Sequence, residues 1–231
     1  LPMPPLLTLR CTCKQQLRVT TLLLQNAQQS LLELFVSCPD RLASALTAYN
    51  GYVCGSVALE FVLRRGTSRF GDLDIAVPQS NYADFVYHMR NLHQALVLDQ
   101  TEPNYEDYEP GWDTVATLRT PRGTIRVFRS TCEDALLPIV LQWASHKAVY
   151  FNASYFGTPY PNLLFRHRSL LGDVFADEAA ADVGGLEGLV QKHEVRGIQI
   201  QLFMRQWPDY EHQPCSRSSF TCPAQPRSLG D

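Results

Sequence analysis

Hydrophobic residues recur every third or fourth position over several stretches of the chain, and each such stretch predicts a helix. Across Val19–Val36 the repeat is Leu23, Ala27, Leu31 and Leu34, which predicts a helix packed on the core. Ser37-Cys38-Pro39-Asp40 predicts the start of a second helix, with Pro in the first turn and an acid near the positive end of the helix dipole. Leu42, Ala43, Leu46 and Tyr49 form its apolar stripe, and Asn50-Gly51 supplies the left-handed ending. Ser80-Asn81 precedes a third helix, Tyr82–His93, with Tyr82, Phe85, Val86, Met89 and Leu92 on one face. Further helices are expected over Ala135–Ala148 and, eased by Gly197, over Leu186–Gln206.

Other stretches follow the two-residue period of strands. Tyr52-Val53-Cys54 is short and apolar, and Gly55-Ser56 then opens a helix over Val57–Arg65. Asp72–Val77 alternates acid and aliphatic residues. Thr114–Leu118 and Thr124–Phe128 form a hairpin through Thr120-Pro121-Arg122-Gly123, where Pro followed two residues later by Gly suits a tight reversal. Together the elements predict an α+β fold with a mixed sheet, flanking helices and a mainly helical C-terminal extension. Residues 1–18, with three prolines, are expected to be an irregular lead-in. Residues 19–171 are expected to form the main domain, and 172–231 a helical extension with an irregular tail. Glu102–Asp113 is acidic and turn-rich, as in a solvated loop.

Composition narrows the picture without adding a function. Of 231 residues, 45% are apolar and 19% charged, as in a globular core. The net charge is −3, so no general attraction to nucleic acid is expected. No apolar run reaches the ~20 residues of a membrane span. The opening LPMPPLLTLR lacks a starting Met and a charged leader region, and reads as a fragment or the edge of a gene model rather than as a signal peptide. The seven cysteines are scattered, which points to a reducing cytoplasmic or nuclear setting. Cys11-Thr12-Cys13 supplies too few ligands for a metal site, and so does Cys215 with Cys222 and His212. Asn152-Ala153-Ser154 is a glycosylation sequon by coincidence.

The chemistry concentrates in Tyr52–Pro78. On the strand Asp72–Val77, Leu73, Ile75 and Val77 face one way, and Asp72 and Asp74 the other. Two like charges on one face repel, whereas a hard cation held between them removes the repulsion. Upstream, Gly55-Ser56 at a helix start offers free backbone N–H groups to a phosphate. An anion cradle followed by two carboxylates is the pairing that holds a nucleoside triphosphate (NTP) with Mg²⁺.

Gly55-Ser56 followed by Asp72-Leu73-Asp74-Ile75 resembles the signature of the DNA polymerase β-like nucleotidyltransferase superfamily over roughly Arg41–Ser130. Fifteen residues separate Ser56 from Asp72, a slightly longer loop than that pattern has. A narrower similarity is to a set of uncharacterised fungal proteins of this fold, through Tyr160-Pro161, the basic Arg166–Arg168 segment and a Cys-Pro tail. The resemblance implies Asp72 and Asp74 as catalytic and metal-binding residues, with Gly55 and Ser56 on the triphosphate. It also implies Mg²⁺-dependent transfer of a nucleoside monophosphate to an acceptor, which the acidic balance makes a small molecule or protein rather than a long nucleic acid.

One position departs from the family. The third carboxylate belongs in the middle of Ile125-Arg126-Val127, and Arg126 stands there. A guanidinium stays protonated and cannot accept a proton from an attacking hydroxyl. Beside the aspartates, Arg126 is expected to form a salt bridge that partly replaces the metal, or to grip a phosphate. Glu133 and Asp134 are expected to cap the next helix. The readings carried forward are an active nucleotidyltransferase, a degenerate relative that binds a nucleotide or a protein, and a bland third in which the aspartates are simply solvated.

Overall fold

The computed structural model describes residues 2–66, 70–101, 111–171 and 183–210. In chain order the elements are helices α1 (Met3–Arg10), α2 (Lys14–Leu32) and α3 (Pro39–Ala48), strand β1 (Tyr52–Cys54), helix α4 (Gly55–Leu63), strand β2 (Asp72–Val77) and helix α5 (Tyr82–His93). Strands β3 (Leu96–Thr101), β4 (Trp112–Arg119) and β5 (Thr124–Ser130) follow, then the short helix α6 (Leu137–Val140) and strands β6 (Tyr150–Phe151) and β7 (Phe156–Gly157). The remainder is α7 (Pro161–Leu164), β8 (Arg168–Leu170), α8 (Val183–Glu194) and β9 (Gln199–Gln201), with 3-10 turns at Ser145–Lys147 and Met204–Gln206.

The architecture is α+β with a mixed sheet and flanking helices. The described chain divides into two compact units. The described residues up to 139 and 149–157 form the first; 140–148 and the described residues from 158 to 210 form the second. The first unit carries a seven-stranded sheet in the order β3-β4-β5-β2-β1-β6-β7, in which only β2 and β5 run parallel. Its core face is a row of aliphatics: Leu73, Ile75 and Val77 on β2, Ile125 and Val127 on β5, and Ala116 and Leu118 on β4, all buried. Burying such a side chain stabilises the fold by about 1.5–3 kcal/mol, so alternation fixes which residues are left on the other face. That other face carries Asp72, Asp74, Thr124 and Arg126.

Several expectations are corrected. The three prolines do not keep the lead-in irregular: Pro4 and Pro5 lie in the first turn of α1, where backbone N–H groups have no intrahelical acceptor, and Met3 and Leu6 are buried. The inward stripe of α2 is Thr20, Leu24, Gln28 and Leu32, while Leu23 and Leu34 are exposed. Polar residues occupy inward positions because their bonds are satisfied there. The Thr20 hydroxyl donates to the Gln16 carbonyl at 2.7 Å, and Gln28 Nε2 donates to the Asn152 carbonyl at 3.0 Å. On α3 the buried residues are Leu42, Ala45 and Leu46, and Asn50 takes the left-handed ending at φ 50°. On α5, buried His93 takes the place expected for Leu92.

The helix expected over Ala135–Ala148 is reduced to α6 and a 3-10 turn, in keeping with Pro138 inside the run. The long helix expected to Gln206 stops at Glu194, and Gly197, at φ 81°, turns the chain into β9. Strand β3 carries no alternation of apolar and polar residues, so the pattern of the sequence does not predict it. The boundary between units also differs from the expected one at residue 172, because 149–157 return to the sheet as β6 and β7. Most of the acidic stretch 102–113, the connection at 172–182 and the tail with His212, Cys215 and Cys222 lie outside the described residues.

In the second unit, β8 and β9 pair in parallel, and Leu163, Leu170 and Trp207 form a small core. A buried polar network lies beside it: His146 Nδ1 is 2.8 Å from Ser169 Oγ, and His146 Nε2 is 3.0 Å from His193 Nδ1. Trp143 packs edge-on against both imidazoles.

Candidate functional site

The site is one cross-strand row on the open face of the sheet. Register places Cys54 of β1 opposite Asp74 of β2, Asp74 opposite Arg126 of β5, Arg126 opposite Thr117 of β4, and Thr117 opposite Asp99 of β3. Asp72 and Thr124 face each other in the neighbouring row. The structure thus brings Asp72, Asp74, Gly55 and Arg126 together.

Arg126 and Asp74 are the closest pair in this row. Arg126 Nε donates to Asp74 Oδ1 at 2.8 Å, and Arg126 Nη2 lies 2.7 Å from the same oxygen. Arg126 Nε is also 3.8 Å from Asp72 Oδ2. One guanidinium therefore faces both carboxylates, more tightly at Asp74, whose side chain is 12% exposed against 43% for Arg126. Burial works against the Arg126 charge, but the negative charge and hydrogen bonding of Asp74, with Asp72 behind it, outweigh that and hold its pKa above the ordinary arginine value. Its guanidinium also sits over the Phe128 ring, 5.5 Å from the centroid.

Gly55 is required by this carboxylate. It has φ 66°, and a Cβ built there would stand 2.3 Å from Asp74 Oδ2. Asp74 is thus pressed against the first residue of α4, in the space a side chain would fill. No side chain caps that helix start, where Cys54 is the N-cap residue. Ser56 is the second residue of the helix and is half-buried.

Asp72 and Asp74 are the carboxylates that would hold a divalent cation, and in the present arrangement Arg126 competes with such an ion for them. Oδ1 of Asp74 is taken by two guanidinium nitrogens. A doubly charged ion about 4 Å from a guanidinium would meet a repulsion of about 8 kcal/mol at an effective dielectric of about 20, which offsets the attraction of about one of the two carboxylates. Among the described residues, no group of three His, Cys, Asp or Glu converges as a ligand set.

Glu133 and Asp134 serve locally. Glu133 bonds the Ser80 hydroxyl, and Asp134 Oδ1 accepts from the Leu136 N–H at 2.8 Å. The charge of Asp134 also acts on two tyrosines beside β1. Burial first, then the neighbouring Tyr150 and Asp134, raise the Tyr52 pKa; burial and Asp134 raise that of Tyr150. These two rings meet edge-on at 5.5 Å and, with Cys54, pack against Ala76, Ala135 and Ile139. Tyr52 and Cys54 were missed as site residues. The available signal was the alternation along β1, which puts them on the face of Asp74.

No protein-family model matches the chain, and no curated protein matches it. Among solved structures, a tRNA-processing enzyme in an apo form matches with a TM-score of 0.41 and 13% identity, over 57% of this chain and 35% of its own. The chain spans about a third of that enzyme's length.

Proposed function

We propose that this chain is a catalytically degenerate nucleotidyltransferase-like module that binds a phosphate-bearing ligand, foremost an NTP, without requiring Mg²⁺ and without transferring a nucleoside monophosphate. The observation that carries this reading is Arg126 in register with Asp74 and bonded to it. A cation built into the chain stands between the two carboxylates, so the electrostatic reason for recruiting a metal is largely removed. No carboxylate occupies the Arg126 position to accept a proton from an attacking hydroxyl. Arg126 remains 43% exposed, so its guanidinium can pair with a phosphate as well as with Asp74.

The test is calorimetric titration of ATP and GTP with and without Mg²⁺. Wild-type protein is expected to bind independently of Mg²⁺, and Asp72→Ala/Asp74→Ala to retain binding. Arg126→Asp places three carboxylates on one face and is expected to make binding depend on Mg²⁺. Wild-type binding that requires Mg²⁺ and disappears in the double variant would overturn this reading.

That outcome would favour an active Mg²⁺-dependent transferase, a second reading that the presence of both aspartates on one face keeps in play. Absence of nucleotide binding altogether would leave a protein-binding module.

A further inference from the structure

A bulge decides which way Asp99 faces. Val97 of β3 stands opposite Leu118 and Asp99 opposite Thr117, which leaves Leu98 as an extra residue without a partner on β4. In an unbroken ladder Asp99 would stand opposite Ala116, whose side chain is buried on the core face. The bulge turns it instead onto the open face, at the end of the row that carries Asp74, Arg126 and Thr117. Two strand spacings, about 10 Å, separate its backbone from that of Arg126. Asp99 is exposed, and among the described residues no cation pairs with it.

A ligand whose phosphate sits on Arg126 can continue along this row in two directions. Towards β1 it meets the carboxylates of Asp74 and Asp72, and then the first residue of α4, which stands against Asp74 Oδ2. Towards β4 it meets Thr117 and, in the neighbouring row, Arg119. Arg119 is exposed, and its Nη1 donates to Thr124 Oγ1 at 3.0 Å, which draws the guanidinium across onto β5. Among the described residues no carboxylate pairs with it. Further phosphate charge is repelled on the first path and attracted on the second. The second path ends at Asp99, whose carboxylate can accept from two vicinal hydroxyls, as acidic residues do at the ribose of bound dinucleotides. Its distance from Arg126 suits the reach from the second phosphate of a nucleotide to its sugar hydroxyls. We propose that Asp99 is the ribose-binding residue of this site, and that the ligand is a ribonucleoside di- or triphosphate laid across β5, β4 and β3. The inference rests on the nucleotide-binding reading above and adds to it the choice of sugar.

Calorimetric titration of ATP, 2′,3′-dideoxy-ATP and inorganic triphosphate without Mg²⁺ tests this. Wild-type protein is expected to bind ATP about tenfold or more tightly than dideoxy-ATP, the share of a hydrogen bond to a charged group. Asp99→Ala is expected to erase that preference by weakening ATP alone, with dideoxy-ATP and triphosphate bound at least as tightly as before. Asp99→Asn, which keeps one acceptor oxygen, is expected to retain part of it, and circular dichroism checks the fold of both variants. Equal binding of ATP and dideoxy-ATP by the wild type would overturn the role of Asp99 and leave the nucleotide site standing. So would a preference that survives in Asp99→Ala while both nucleotides tighten alike, the mark of a surface charge that only repels phosphate. Absence of binding by all three compounds would overturn the nucleotide-binding reading itself, and this inference with it.

Discussion

Arg126 and Gly55 each constrain Asp74 from a different side. The guanidinium holds Oδ1, and the missing side chain of Gly55 leaves room for Oδ2. Gly55→Ala places a Cβ inside that carboxylate and requires an L-residue at φ 66°. Left-handed backbone alone costs about 1–2 kcal/mol, and overlap with Asp74 adds to it. Urea denaturation is expected to show a loss of about 2–4 kcal/mol, a range that backbone strain and an overpacked contact together reach. Removing Asp74 in the Gly55→Ala background should return part of that loss, since the overlap disappears with the carboxylate. The two residues were legible in the sequence, but the reason for the glycine was not. Gly-Ser at a helix start reads as a phosphate cradle, whereas the φ angle and the register show Asp74 itself against that turn.

At the scale of elements, alternation along β2, β4 and β5 was enough to separate core from open face, because a one-residue slip would turn every aliphatic outward. Helix α2 was less legible, since Thr20 and Gln28 are inward on the strength of hydrogen bonds that no hydropathy pattern records. The basic pair Arg166 and Arg168 bonds Asp209 and stacks on Tyr210 and Trp207. Asp209 lies about forty residues away in sequence, which no local reading connects. The β4–β5 turn is tied down in a similar way. Thr120 Oγ1 donates to the Phe35 carbonyl and accepts from the N–H groups of Arg122 at 3.2 Å and Gly123 at 3.0 Å. Thr120→Val keeps the shape and removes all three bonds. It is expected to cost about 1–3 kcal/mol, the penalty for buried groups left unpaired, measured as a lowered urea midpoint at unchanged m-value.

Across the first unit, two histidines are expected to make stability depend on pH. His93 is buried, its Nε2 has no hydrogen-bond partner, and burial, with the nearby His88 and Arg41, lowers its pKa. Burial lowers that of His88 as well. A histidine with a depressed folded pKa leaves stability complete above about 6.5, the unfolded value. As pH falls below that, the unfolded chain binds protons that the folded chain refuses. Stability then declines until the folded pKa is reached, by at most about 1.4 kcal/mol per pH unit for each histidine. Chemical denaturation between about pH 5 and about pH 8 is expected to show this decline, with a shallower slope in His93→Phe. The Asn152 sequon belongs to this scale too. Its side chain is buried, and its Oδ1 accepts from the N–H groups of Ser154 at 2.9 Å and Tyr155 at 2.8 Å, so the residue has a local structural role in the turn before β7.

The return of residues 149–157 to the sheet has a consequence for synthesis. Strand β6 completes β1, and the Asn152 carbonyl receives Gln28 across 124 positions of sequence. A ribosome therefore releases residues 140–148, which belong to the second unit, before the first unit has its last two strands. Until residue 157 emerges, β1 is an open edge. A stop or cleavage shortly after residue 139 would not free an independent domain. It would leave a sheet whose inner strand β1 has become its exposed edge.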